Sequence, residues 1–421
     1  MKFTKMSLVA ALLIGSSAFA IENTKISGTA DLFYATTDAG DKGLFDKDNS
    51  AADTALNLNI TTDLVKNNVV AISAGASYTV LSTLGLENNL VSNVWGGAHP
   101  VTAPTGASFG SALGGVKVEN ANWMTEAWVA ATAGNTTLKL GRMELDTPLA
   151  FTETWSIEKN TFEAIVAINQ DLPDTTLVGA YVGNGNGTEF FGQAGGSTVA
   201  TLGHAVGAVV NESGKFTTYG TDGAYAAGII NNSFKPLTVQ AWYYDVVRLA
   251  EAYWLQADLN MEGILAGAQY SAVEASVSGA NEDNVYALML GYEVKDVATV
   301  KLAYSSVNND GSIGAAGFNT ATNANTAQSK LYTEAWWNYG HVTKSGTDAI
   351  NFTAEGAAAG VDLGLYITSI DHEQAGLDLD EYTVTASKSF GPLDTTAAVI
   401  YTDPETGDAD TIIQAYLTLN F

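Results

Sequence analysis

The C-terminal stretch Ile413-Gln414-Ala415-Tyr416-Leu417-Thr418-Leu419-Asn420-Phe421 decides the fold. In an extended chain successive side chains point to opposite faces, so Ile413, Ala415, Leu417, Leu419 and Phe421 share one face and Gln414, Tyr416, Thr418 and Asn420 the other. One face is apolar and the other wet. The same alternation sets Leu56, Leu58 and Ile60 against Asn57, Asn59 and Thr61, and Tyr382, Val384 and Ala386 against Glu381, Thr383 and Thr385. It also sets Val361, Leu363, Leu365 and Ile367 against Asp362, Gly364, Tyr366 and Thr368. Beyond the first twenty residues no apolar stretch is long enough for a membrane-spanning helix. An all-β chain is predicted, and since a soluble sandwich alternates in the same way, the connections must separate it from a membrane barrel.

Those connections come in two kinds. Tight turns are predicted at Val65 to Asn68, Gly134-Asn135, Asp171 to Asp174, Asn232 to Pro236, Met261 to Gly263, Lys295-Asp296, Ala358 to Gly360 and Gly391-Pro392. Long polar connections alternate with them, at Thr37 to Ala52, Leu81 to Asn122, Leu145 to Asn160, Gly185 to Thr221, Glu274 to Asp283, Asn308 to Thr347 and His372 to Leu379. With two tighter connections near Arg248 and Asp403 to Asp408, this rhythm predicts an antiparallel transmembrane β-barrel of 18 strands, or of 16 if one hairpin is misassigned. Short turns on one rim and long outer loops on the other are the asymmetry of bacterial outer-membrane barrels. Both termini then fall on the short-turn side, as an even strand number requires.

Residues 1–20 fit that compartment. Lys2 and Lys5 precede an apolar run from Leu8 to Ile14, and Ala18-Phe19-Ala20 presents small residues two apart, so a cleaved signal peptide over 1–20 is expected, leaving one barrel over 21–421. The chain of 421 residues has no Cys, 42 Gly and 46% hydrophobic residues. An exported protein without Cys must obtain its stability elsewhere, and a closed hydrogen-bonded sheet supplies it. A formal charge of −27 excludes a phosphate-binding surface for nucleic acid. In a barrel this wide inward positions meet water, so polar residues there cost little. Tyr34, Tyr243, Tyr304 and Tyr401 fall on the lipid-facing parity near outer strand ends, where amphipathic rings favour the membrane interface.

Two stretches carry a family resemblance. Leu138-Lys139-Leu140-Gly141-Arg142, with Glu144-Leu145-Asp146-Thr147-Pro148-Leu149 and Asn160-Thr161-Phe162-Glu163, resembles the third-loop region of Campylobacter-type (epsilonproteobacterial) major outer membrane porins, and more distantly the substrate-selective porins of pseudomonads. Ser329-Lys330-Leu331-Tyr332-Thr333-Glu334-Ala335-Trp336-Trp337-Asn338-Tyr339-Gly340 is similar to the same family. The terminal Phe421 resembles the aromatic signal that barrel-assembly machinery recognises. The resemblance implies an eighteen-stranded general porin, usually trimeric, in the bacterial outer membrane among lipid and lipopolysaccharide. It also implies a third loop folded into the lumen and, in some members, a calcium ion near the constriction; no other cofactor is expected.

Charge locates the constriction. The third-loop region carries Glu144, Asp146, Glu153 and Glu158 against Arg142 and Lys159, an acidic wall that favours small cations. Alternation puts Arg142 on the face of Leu138 and Leu140, so it reaches the pore only if a bulge intervenes. Lys139, Arg248, Asp258, Lys301, Asp362 and Glu381 are expected on the lumen wall, with Asp31, Asp63 and Asp394 beside them. Passive diffusion of small hydrophilic solutes and ions is the leading function; a surface adhesin or structural outer-membrane protein is the alternative. His99, His204, His341 and His372 are scattered over connections without zinc spacing or a partnered nucleophile, which counts against a hydrolase.

Overall fold

The computed structural model describes residues 22–41, 43–82, 84, 120–153, 157, 159–186, 216–321 and 327–421. The predicted signal peptide and Glu158 lie outside them. The strands are β1 (Glu22–Thr37), β2 (Ser50–Lys66), β3 (Ala71–Ser82), β4 (Asn120–Ala133), β5 (Thr136–Met143), β6 (Phe162–Asn169), β7 (Thr175–Gly185), the two-residue β8 (Thr217–Thr218) and β9 (Ala224–Asn231). They continue as β10 (Leu237–Val246), β11 (Ala250–Met261), β12 (Ile264–Ala275), β13 (Asp283–Val294), β14 (Ala298–Val307), β15 (Thr347–Ala358), β16 (Val361–His372), β17 (Leu379–Phe390), β18 (Leu393–Pro404) and β19 (Asp410–Asn420). Each pairs antiparallel with its neighbours, β7 meets β9 directly, and β1 pairs with β19, so the sheet closes as an 18-strand barrel with β8 as an appendage.

The eight predicted tight turns sit at one end of this barrel and the described long connections at the other, together with the short β10–β11 and β18–β19 connections, as the sequence rhythm predicts. Two-residue turns such as Glu262-Gly263 and Ala359-Gly360 hold both residues at positive φ, the primed geometry whose twist matches the flanking strands. The closing seam relies on a small residue. Gly28 and Phe421 exchange both backbone hydrogen bonds, Gly28 N–H to Phe421 O at 2.8 Å and Phe421 N–H to Gly28 O at 3.0 Å. The Phe421 ring lies so close that a Cβ on Gly28 would stand 2.6 Å from it.

The outward face is apolar and exposed, with Leu56, Leu58, Ile60, Leu288, Leu290, Leu302, Val384 and Val399 among its side chains. Near the loop end it carries paired tyrosines: Tyr243 with Tyr253 at 5.3 Å between ring centroids, Tyr286 with Tyr304 at 6.1 Å and Tyr382 with Tyr401 at 6.1 Å. Tyr34 is on the same outward parity, opposite Ala415 and Ala52.

The lumen departs from the sequence expectation. Inward positions meet water only over the half nearest the tight turns. Along β14, Thr299 and Lys301 are half-buried, whereas Ala303, Ser305 and Val307 towards the loop end are buried; β18 repeats this from Asp394 and Thr396 to Ala398, Ile400 and Thr402. What fills the loop half is a core inside the barrel. Leu145, Leu149 and Phe162 pack there with Trp242, Trp254, Phe318, Leu331 and Val342. The connection 308–346, read from sequence as an outer loop, therefore folds into the lumen over its described residues, 308–321 and 327–346. Its apolar residues find more surface to bury against the inner wall than outside, where only water faces them.

Gly28→Val should place two methyl groups against the Phe421 ring and the Asn57 carbonyl at the seam. A loss of about 1 to 3 kcal/mol, the usual scale of overpacking, is expected in urea unfolding from lipid vesicles followed by tryptophan emission. An unchanged unfolding midpoint would show that the seam tolerates the added side chain.

Candidate functional site: two loops meeting inside the barrel

The described residues of the loop Glu144 to Thr161, between β5 and β6, and of the loop 308–346, between β14 and β15, enter from nearly opposite walls, since β14 lies eight strands round the sheet order from β5 in an 18-strand barrel. They meet in the lumen through polar contacts. Asn319 Nδ2 donates to the Phe151 carbonyl (2.9 Å) and to Glu153 Oε1 (2.8 Å), and its Oδ1 accepts from Phe151 N–H (3.1 Å). Gln328 N–H also donates to Glu153 Oε1 (3.0 Å), and Thr320 N–H to the Leu149 carbonyl (2.8 Å). Lys330 forms an ion pair with Asp146 and stands over the Phe151 ring at 4.9 Å. The pair of loops forms a bridge across the barrel.

Side chains of the wall hold this bridge by its backbone. Glu381, inward on β17 and 1% exposed, accepts from the N–H groups of Trp336 (2.8 Å), Trp337 (3.1 Å) and Asn338 (2.7 Å), and from Asn338 Nδ2 (2.9 Å). Asp283, where β13 begins, accepts from Ile313 N–H (2.7 Å) and Gly314 N–H (2.8 Å). Gln269 on β12 donates to the Lys330 carbonyl (2.7 Å) and accepts from Tyr332 N–H (3.0 Å), while the Tyr332 hydroxyl donates to Asp258 (2.6 Å). The Tyr332 ring occupies the space a side chain would need at Gly267, where a Cβ would stand 2.5 Å from it. Carboxylates accepting several N–H bonds satisfy loop groups that would otherwise be stranded away from water.

Beside the bridge sits a charge cluster that faces the lumen. Lys159 is ion-paired with Glu144 and with Glu126 of β4, the latter at 3.3 Å. Burial pulls its ammonium down, but Glu144 and Glu126 outweigh that and hold its pKa above the usual lysine value. Lys139 is close by, over the Trp128 ring at 4.2 Å. Within loop 308–346, burial pushes the Glu334 carboxyl well above the usual range, with the Glu153 charge adding to the effect.

The sequence-predicted residues divide accordingly. Glu144, Asp146 and Glu153 are in the third loop inside the barrel, but each is engaged, the first two in ion pairs and Glu153 beneath the bridge. Asp258, Lys301 and Asp362 lie on inward parity, and Glu381 does too, although it faces loop backbone and not water. Arg142 is corrected. It shares the outward parity of Leu140 and Ile165, pairs with Glu163 at 2.8 Å, donates to the Met124 carbonyl at 3.0 Å and lies over the Phe216 ring at 4.0 Å. The bulge between β3 and β4 occurs at Thr125 and does not turn β5 around. Arg248 is corrected as well: it occupies the tight loop-end connection from β10 to β11 at φ +67°, exposed and paired with Asp222, above the lumen wall. Asp283, Asn319 and Gln269 escaped sequence reading because their partners are backbone groups far along the chain. Lys330 and Tyr332 had a signal in the Ser329 to Gly340 resemblance.

This architecture is that of outer-membrane porin structures. No protein-family profile matches the sequence, and no curated protein does. Among solved structures the chain is similar to Pseudomonas aeruginosa OccK1 (OpdK), with 11% identity, a TM-score of 0.71 and coverage of 95% of this chain and 99% of that one. OccK8 (OprE) of the same organism gives 14% identity and a TM-score of 0.69 over 96% and 99% of the two chains. OccK2 (OpdF), solved in complex with glucuronate, gives 11% and 0.65 over 95% and 98%. Among the described residues no group of three His, Cys, Asp or Glu is placed to hold a metal ion.

Two predictions test the anchoring of the loop. Glu381→Gln should leave the closed barrel intact, visible as heat-modifiable mobility, while weakening loop docking by about 3 kcal/mol, because an amide NH2 then faces N–H groups that need an acceptor. A red-shifted emission from Trp336 and Trp337 and new protease cuts within 308–346 are the expected signs. The second concerns acid. Burial, with Lys344 and His372 adding, lowers the His341 pKa to about 4. Between pH 6.5 and 4 the unfolded loop takes up a proton that the folded loop refuses, so His341 costs the folded loop stability as pH falls through that window. Glu334 acts in the opposite sense, favouring the folded loop as acid neutralises it. Comparison with His341→Asn isolates the histidine: between pH 7 and 4 the native loop should lose more protease resistance than the variant, and equal losses would disprove the assignment.

Proposed function

We propose that the chain is a porin of the bacterial outer membrane, exported by its N-terminal signal peptide, that lets small hydrophilic solutes and ions diffuse through a water-filled lumen with a preference for cations. The observation that carries this reading is the bridge of two inward loops: it narrows the barrel over its loop half and leaves the other half lined by half-exposed polar side chains. A narrowing held in place by the wall suits selection by size and charge, and no chemical step is needed.

Cation preference rests on the charges at and below the narrowing. Glu126, Glu144 and Asp146 exceed the two lysines they ion-pair, Lys159 and Lys330, and with Lys139 and Lys301 as the inward bases, Asp31, Asp258, Asp362 and Asp394 share the inward parity below them, whereas Arg142 and Arg248 face away from the lumen. Carboxylates at a constriction concentrate cations and repel anions. The exposed apolar flank and its tyrosines suit lipid, with lipopolysaccharide at the loop end. A homotrimer fits this reading through the resemblance of the third-loop region to Campylobacter-type porins.

In planar bilayers with a KCl gradient, stepwise conductance with a cation-selective reversal potential is expected. Replacing Glu126 and Glu144 together by Gln frees Lys159 and should lower the cation-to-anion permeability ratio about twofold or more. Anion selectivity of the native channel would remove the charge argument alone; absence of any conductance would remove the porin reading.

A further inference from the structure

Below the bridge, on the water-lined half of the lumen, two opposite charges stand near one another without pairing. Lys301 on β14 and Glu355 on β15 both point inward: Lys301 is opposite Thr353, and Glu355 is two residues further along the same face. Side chains in that diagonal relation are close enough to meet. They do not. Among the described residues Lys301 takes no ion pair, and its stem leans over Gly291 of β13, where a Cβ would stand 3.0 Å from Lys301 Cγ. Glu355 leans the opposite way, its Oε1 accepting a hydrogen bond from the Tyr366 hydroxyl on β16 (2.8 Å).

Aromatic rings stand at the carboxylate end. The Tyr366 ring lies flat on the wall, because Gly364 leaves it room: a Cβ there would stand 2.7 Å from the ring. Trp336, descending from the bridge, meets it at 5.1 Å between centroids with the planes 33° apart. Glu381 fixes the Trp336 backbone, so this ring is held in position before any solute arrives. Trp336, Tyr366, Glu355 and Lys301 are all half-buried, within reach of solute in the lumen.

We propose that these groups form a subsite for a small betaine-type zwitterion, with its ammonium against Trp336, Tyr366 and Glu355 and its carboxylate at Lys301. An ammonium is attracted by ring faces as well as by carboxylate, and a quaternary one loses no hydrogen bonds by leaving water for aromatic rings. A simple cation would satisfy Glu355 and meet repulsion from Lys301, and a simple anion the reverse. Only a solute carrying both charges engages both ends, across a gap that the leaning side chains hold open by roughly two strand spacings, about 10 Å. Thr353 lies between the two ends on the same face. The subsite rests on the channel reading, because solute must reach the lumen to occupy it.

The test is occlusion of ionic current in single channels. Glycine betaine added at millimolar concentrations should raise current noise in a saturable way. Choline, which keeps the ammonium alone, and 3,3-dimethylbutanoate, which keeps the shape and the carboxylate alone, should act at least tenfold more weakly. Glu355→Gln and Lys301→Gln, studied in channels that conduct KCl, should each weaken the betaine response about tenfold; Glu355→Gln should weaken the choline response too, whereas Lys301→Gln should strengthen it. Equal action of the three compounds, or a betaine response untouched by both substitutions, would overturn the subsite while native KCl conductance still upheld the porin. A native protein without conductance would instead take away the reading on which the subsite stands.

Discussion

Hydrocarbon gives a peptide group nothing to bond to, so a chain that crosses it must satisfy every N–H and C=O internally. In a sheet that condition can be met only by closure, since any open edge would leave a row of donors and acceptors facing lipid. The pairing of β1 with β19 meets it, and much else follows. Because every pairing is antiparallel, the strand number is even and both ends of the sheet come to one rim, and Phe421 reaches the seam beside a neighbour small enough to admit its ring. The outward face is apolar, as a wall facing lipid would be, and the inward face is left to whatever occupies the lumen.

The lumen shows how closure leaves room for a second folding problem. A ring of eighteen strands is too wide for its own side chains to fill, and two loops complete it from within. They bring apolar residues, so the loop half of the barrel has an interior resembling that of a soluble domain, with Trp254, Phe318 and Phe162 fully buried. They also bring backbone, whose N–H groups would be costly to bury alone. Glu381 and Asp283 answer this with carboxylates planted on rigid strands. Each negative charge is tolerated away from bulk water because several N–H groups converge on it.

How much of this could be read in the sequence depends on the range of the interactions involved. Alternation at Leu56 to Thr61 or Ile413 to Phe421 is local, and turns such as Ala359-Gly360 declare themselves by residue type, so strand number, direction and loop asymmetry were legible. Parity gave the inward direction of Asp258, Lys301, Asp362 and Glu381 for the same reason. The path of loop 308–346 was not legible, because its partners Glu153, Asp283 and Glu381 come from separate parts of the chain and nothing in a loop's composition says which side of a wall it lies on. Arg142 shows the limit of charge as a guide: near a loop thought to line the pore it looked functional, yet strict alternation, which pointed outward, was the better guide. Arg248 failed differently, since a residue at a two-strand corner lies beyond the wall that alternation describes.

On the proposed channel reading, a narrowing built this way is fixed before a solute arrives. The loops are tied to wall carboxylates, so their charges need little reorganisation to act on a passing ion, and selectivity depends on where those charges stand. Many of them are already compensated: Lys159 lies between Glu126 and Glu144, and Lys330 answers Asp146. Paired charges still shape the field at short range, but screening removes most of their effect beyond about 8 to 10 Å. What reaches a solute in the wet half is therefore chiefly the field of side chains on the wall itself. In the proposed channel that makes the lining below the bridge, and the uneven spacing of Lys301, Glu355 and the acids around them, at least as important as the constriction that the sequence first draws attention to.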